Sequence, residues 1–217
     1  MAESQDAKTE SARRRVLVIA CGALARELVY LQREILGPID ITCLPAELHN
    51  RPKAIPGEMR RKIAENRSRY DEILCLYGDC GTGGELDRVL QEEGVARIEG
   101  AHCYEFFAGS ENFAAITAEE PGVFFLTDFL VRHFDRLVIK GLGLDRFPQL
   151  RDDYFGNYRR LVYLAQFDDE ELTAKAQAAA ERLGLSFERR ATGLGELAKF
   201  LGQKAPARAT AGAAWPT

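Results

Sequence analysis

The sequence predicts an α/β protein: a mainly parallel sheet flanked by helices, a three-layer sandwich in one domain. Three observations lead there. Short apolar runs closed by glycine recur along the chain, as in RVLVIACG at 15–22 and EILCLYGDCG at 72–81. Between them stand stretches whose apolar residues follow helical spacing. The two kinds of segment alternate, which implies βαβ units with right-handed crossovers.

Taken in order, RVLVIACG reads as a buried strand. The helix after it carries Leu24, Leu28, Leu31 and Ile35 at i, i+4, i+7 and i+11. IDITCLP at 39–45 is a second strand-like run, and a basic helix over 57–69 leads into the strand that ends in YGDCG. ELDRVLQEEG at 85–94 is helical, and VARIEG at 95–100 is a short strand. The spacing then suggests a helix over 125–140, a strand RRLVYLAQ at 159–166, a helix over 168–183, a strand SFERRAT at 186–192 and a last helix over 193–201. Residues 1–12 and the Ala- and Pro-rich tail 203–217 hold no periodic apolar residues and are expected to be disordered, leaving 13–202 as a single domain.

Composition narrows the function classes. A hydrophobic share of 46% and a charged share of 29% are those of an ordinary globular protein, and no run approaches the roughly 18 apolar residues of a membrane helix. A net charge of −4 with interspersed signs does not fit a nucleic-acid binder. The polar N-terminus lacks an apolar signal region, so a cytoplasmic location is expected, and the five cysteines are expected to be reduced there.

Ligands of open α/β sheets bind outside the carboxyl ends of the strands. Three of those ends carry a cysteine: Cys21 in ACG, Cys80 in YGDCG and Cys103 in HCYE. His49 sits in the loop after the second strand. Three thiols and an imidazole that converge on one sheet edge would suit tetrahedral zinc, or alternatively an iron–sulfur cluster. Placement at strand-to-helix junctions is expected to lower the thiol pKa values and favour thiolates. Cys43 and Cys75, inside apolar runs, read as small buried hydrophobes. His102 is expected at the rim of the site, beside the metal ligands, with Glu105 orienting its ring or accepting a proton. These two are the candidate catalytic residues. His133, within FLVRHF, reads as structural.

The glycines of GDCGTGG admit two readings. Gly78, Gly81 and Gly83 could cradle a phosphate with successive backbone N–H groups ahead of a helix. The loop lacks the ending of a Walker motif and the spacing of a dinucleotide fingerprint, and the glycines would equally let the backbone turn tightly around Cys80.

ACGALARE at 20–27, LPAELHNRP at 44–52, YGDCGTGG at 77–84, HCYEFFAGS at 102–110 and EEPGVFFLTDFLVRHF at 119–134 together resemble the DUF1638 family, over a core of about 16–135. Where many members carry His-Asp-Cys, this chain has Ala101-His102-Cys103, so the resemblance carries over the cysteine and moves the histidine by one position. It implies an association with corrinoid-dependent methyltransferase systems and with one-carbon or methionine metabolism. The partners it implies are a corrinoid protein or methyltransferase subunit, with the corrinoid on that partner, and a small thiol or methylated substrate. The expectation is a zinc protein with Cys21, His49, Cys80 and Cys103 as ligands. The alternatives are an accessory protein that docks on a methyltransferase, and an iron–sulfur or redox protein.

Overall fold

A computed structural model describes residues 14–34, 36–120 and 122–205. The expected disorder at 1–12 and beyond 205, and Ile35 of the first helix pattern, lie outside the described residues.

The first strand, β1 (Val16–Cys21), is buried along its whole length, as a strand covered on both faces must be. It pairs in parallel with β2 (Asp40–Leu44) on one side and β3 (Glu72–Leu76) on the other, and β4 (Ala96–Arg97) adds to β3, giving the order β2-β1-β3-β4. Between these strands run α1 (Ala25–Glu34), α2 (Ile55–Asn66) and α3 (Glu85–Glu93). The chain leaves β1 toward β2 and then crosses to β3 on the opposite side. That reversal makes a switch point, and hence a crevice, between the carboxyl ends of β1 and β3.

Beyond β4 the chain forms two helices that apolar periodicity had not revealed, α4 (Cys103–Ala108) and α5 (Ser110–Glu119), joined at Gly109 with φ 78°. A second parallel sheet follows, in the order β5-β6-β7, built from β5 (Val123–Thr127), β6 (Arg160–Ala165) and β7 (Ser186–Ala191). The expected parallel strands flanked by helices are thus present, divided into two sheets.

One expectation needs correction. The helix read over 125–140 begins as strand β5, continues as the short α6 (Asp128–Arg132) and ends as a π-helical turn, Asp135–Lys140. VFFLT is an apolar run buried in a parallel sheet, and such a run has no period that separates strand from helix. The Gly122 carbonyl accepts the Arg159 N–H at 2.8 Å and so anchors β5 beside the start of β6.

The rest follows the sequence closely. After α7 (Leu150–Phe155) comes α8 (Glu170–Leu183), which is capped by Asp169 accepting the Leu172 N–H at 3.0 Å and stopped at Gly184 with φ 75°. The last helix, α9 (Gly195–Lys204), runs past the expected end into the segment read as tail. It follows the second sheet in sequence, yet Leu194, Leu197 and Leu201 are buried in the core of the first.

Candidate functional site

Along the carboxyl edge of the first sheet stand the four residues singled out as ligands, one after each strand. In the spatial order of the strands they are His49, in the turn Ala46–Asn50 after β2; Cys21, the last residue of β1; Cys80, in the loop after β3; and Cys103, which opens α4 after β4.

Cys21 and His49 are adjacent. The Cys21 sulfur accepts the Ala23 N–H at 3.4 Å and lies 3.9 Å from His49 Nδ1. His49 Nδ1 is 2.9 Å from the Ala46 carbonyl oxygen. With its proton there, Nδ1 donates to that carbonyl and Nε2 is left with the free lone pair, the arrangement seen in histidines that bind metals. The ring stacks on Tyr77 at 5.5 Å. Tyr77 is fully buried, and its hydroxyl lies beside the Cys21 sulfur without a hydrogen bond of full geometry.

Cys80 and Cys103 are brought together by close backbone approach. A Cβ on Gly78 would meet the Ala101 carbonyl oxygen at 2.8 Å and His102 Cα at 3.1 Å, so only glycine lets these two segments touch. The Cys80 N–H then donates to the Ala101 carbonyl at 2.9 Å. Arg97 ties the same loops, giving one guanidinium nitrogen to the Ile98 and Gly100 carbonyls at 2.9 Å each while pairing with Asp87.

The thiols are not the low-pKa species expected. Burial pushes Cys21 up to about 11, against the opposing pull of the Ala23 N–H. It pushes Cys80 up to about 12, with the charge of Cys21 adding to the effect. Cys103 is raised too, by burial first and then by Cys80 and Cys21. The loss of hydration at this covered edge outweighs what helix ends and N–H donors return. All three are protonated at neutral pH unless a cation replaces the lost water. A charge on Cys21 would act on Cys80 and on Cys103, and a charge on Cys80 would act on Cys103.

The donor types therefore suit a soft metal, and the His49 tautomer fits. Among the described residues, however, no group of three or more His, Cys, Asp or Glu side chains stands close enough together to hold an ion. Cys75 is fully buried in β3 as expected. Cys43 is half-buried in β2, and its charge would act on Cys21.

The glycine loop turns inward on its own carboxylate. Asp79 accepts the Gly83 N–H at 3.2 Å, the Gly84 N–H at 2.8 Å and the Thr82 hydroxyl, and these bonds hold its carboxyl below the usual range, the Thr82 bond most. The N–H groups that would cradle a phosphate are thus engaged. Of the residues named for that role, Gly81 and Gly83 have φ 85° and 66° and serve the turn, while Gly78 serves the close approach.

His102 is exposed at the N-cap of α4 and Cys103 is half-buried behind it, the rim-and-interior division expected. Gly100, with φ 128°, ends the extended segment before them. Glu105 is directed at Gly100, its Oε2 lying 2.9 Å from where a Cβ would stand, and no hydrogen bond joins its carboxylate to the His102 ring. His133 packs edge-on against Phe129 at 4.7 Å, and its charge acts on Glu47 beside His49.

Two residues escaped the sequence reading. Glu27, on α1, is 1% exposed, and Asp128, after β5, is 0% exposed. The charge of Asp128 acts on Glu27, and that of Glu27 on Cys103. Burial, and after it the charge of Asp128, raises Glu27 to about 7. The signal was present in the sequence: Glu27 falls on the apolar face of Leu24, Leu28 and Leu31, and Asp128 ends an apolar run.

Arg136 pairs with Glu47 at 3.2 Å and Arg26 with Asp128 at 3.8 Å, so segments that follow the carboxyl ends of the two sheets are joined by ion pairs.

A search of curated proteins finds no match. The chain does match the family described as "Protein of unknown function (DUF1638)", over residues 43–201. The matched region includes His49, Cys80 and Cys103, begins after Cys21, and reaches well past residue 135, where the motif resemblance stopped. A match that runs from within β2 to α9, and so takes in strands of both sheets, makes this chain a member of the DUF1638 family.

Proposed function

We propose that Cys21, His49, Cys80 and Cys103 hold a soft metal ion, zinc, and that the protein serves corrinoid-linked methyl transfer in one-carbon or methionine metabolism. The observation that supports the reading is the placement of three thiols and an imidazole one after each strand along the switch-point edge, with the Cys21 sulfur 3.9 Å from His49 Nδ1. Zinc would hold such thiols, and a substrate thiol bound to it, deprotonated at neutral pH. His49 offers Nε2, its Nδ1–H fixed on Ala46. Cys80 is presented by a strained turn, and Cys103 by the first turn of α4. Exposed His102 lies at the entrance, where it can accept or return a proton without binding the ion. The corrinoid link rests on the family resemblance and places the methyl donor on a partner protein.

Metal analysis of anaerobically purified protein tests the site. Near-stoichiometric zinc is expected in the wild type, in Cys75→Val and in His102→Ala, with loss in Cys21→Ala, Cys80→Ala and Cys103→Ala at unchanged circular dichroism. A metal-free wild type, or zinc retained in all three thiol variants, would sink the reading. A brown protein containing iron would replace zinc with a cluster. The methyl-transfer half is tested by adding methylcobalamin and a small thiol to zinc-loaded protein and following demethylation by absorbance.

A further inference from the structure

We propose that Glu27 and Asp128 form a binding site for a small amine where the segments after β1 and β5 are joined, distinct from the thiol set. The two carboxyls come from different halves of the fold and neither reaches solvent. Asp128 is held on one side: its Oδ1 accepts the Tyr163 hydroxyl at 2.8 Å and the Gln166 N–H at 3.1 Å. Its Oδ2 and the Oε2 of Glu27 are buried and have no hydrogen-bond partner. Buried carboxylate oxygens that lack donors are costly, and a ligand that supplies N–H groups and positive charge would satisfy them.

The protein's own cation does not fill that role. Arg26 approaches Asp128 Oδ2 only to 3.8 Å, outside hydrogen-bond range, and its side chain is 52% exposed. Its guanidinium lies 5.0 Å from the centre of the Phe167 ring, at the surface. Arg26 therefore covers the pair loosely and can be displaced by a better donor. An ammonium group has three N–H donors on one compact charge, enough to bridge both open oxygens. A divalent metal would call for more side-chain oxygens, and among the described residues no group of three or more potential ligands stands together.

Methylammonium chloride is the probe, titrated against matched sodium chloride at a pH of about 8, above the raised value of Glu27. Calorimetry and thermal melting should show saturable binding and a rise in melting temperature in the wild type. Glu27→Gln should weaken binding at least tenfold. Arg26→Ala should tighten it several-fold by removing the competing cation. Cys103→Ala should leave it unchanged, which separates this site from the proposed metal centre. If Glu27→Gln does not fold, Asp128→Asn, which retains an oxygen for Tyr163 and Gln166, takes its place with the same expected loss. Absence of saturable binding, or equal binding by Glu27→Gln, overturns the proposal. So does a response to magnesium chloride that matches the amine and disappears in the same variant.

Discussion

Cys80 is held at φ 47°, in the left-handed region that side chains with a Cβ avoid, and it is the one non-glycine residue with positive φ among those described. Its own N–H bond to Ala101 and the contact at Gly78 keep it there. A left-handed residue costs about 1–2 kcal/mol, and such strain persists where surrounding structure imposes it, often at functional positions. Replacing Cys80 by glycine removes the strain, whereas alanine keeps it. Urea unfolding should therefore find Cys80→Gly more stable than Cys80→Ala by about 1 kcal/mol, after allowance for the greater chain entropy of glycine. At this scale the sequence is half legible. A cysteine among the glycines of GDCGTGG announces a constrained turn, and the four strand-end residues do share one edge. The ionisation of those thiols was misjudged, because loss of hydration depends on what covers the edge, and no local motif records that.

Among the elements, α9 docks closely on α4. Gly195 has φ 45°, and a Cβ there would meet the Phe107 carbonyl oxygen at 2.4 Å and the Phe106 carbonyl oxygen at 2.6 Å, both backbone atoms of α4. Gly195→Ala should destabilise by more than about 2 kcal/mol, since the backbone must shift and the conformation is itself strained. Thermal melting, with the exposed Gly57 mutated to alanine as control, checks it; a Cβ on Gly57 meets nothing within 4 Å. Elements buried on both faces, such as β1 and β3, were legible as unbroken apolar runs ended by glycine. The same character misled at β5, where VFFLT passes without a turn signal into Asp128 and α6. Helices α4 and α5 were hidden for another reason: Gly109 divides them, and the aromatic residues of CYEFFA favour strands by propensity while tertiary packing makes them helical.

For the molecule as a whole, buried Glu27 links stability to pH. Glu27 is raised to about 7, so the folded state binds its proton more tightly than the unfolded chain does. Its contribution is full below the unfolded value near 4.5 and is lost as pH rises through the folded value. The loss between about pH 5 and pH 8 is on the order of 3 kcal/mol. Chemical denaturation across that window should show wild-type stability falling with pH more steeply than that of Glu27→Gln; parallel curves would refute this coupling. No helix among the described residues is long and apolar enough to cross a membrane. Their order in the chain matters for a protein made from its N-terminus onward. The strands of the first sheet are synthesised long before Leu194, Leu197 and Leu201, which belong to its core. Until α9 has been made and has docked, the thiol-bearing half of a nascent chain is therefore open on one side, and its cysteines are within reach of stray metals and oxidants.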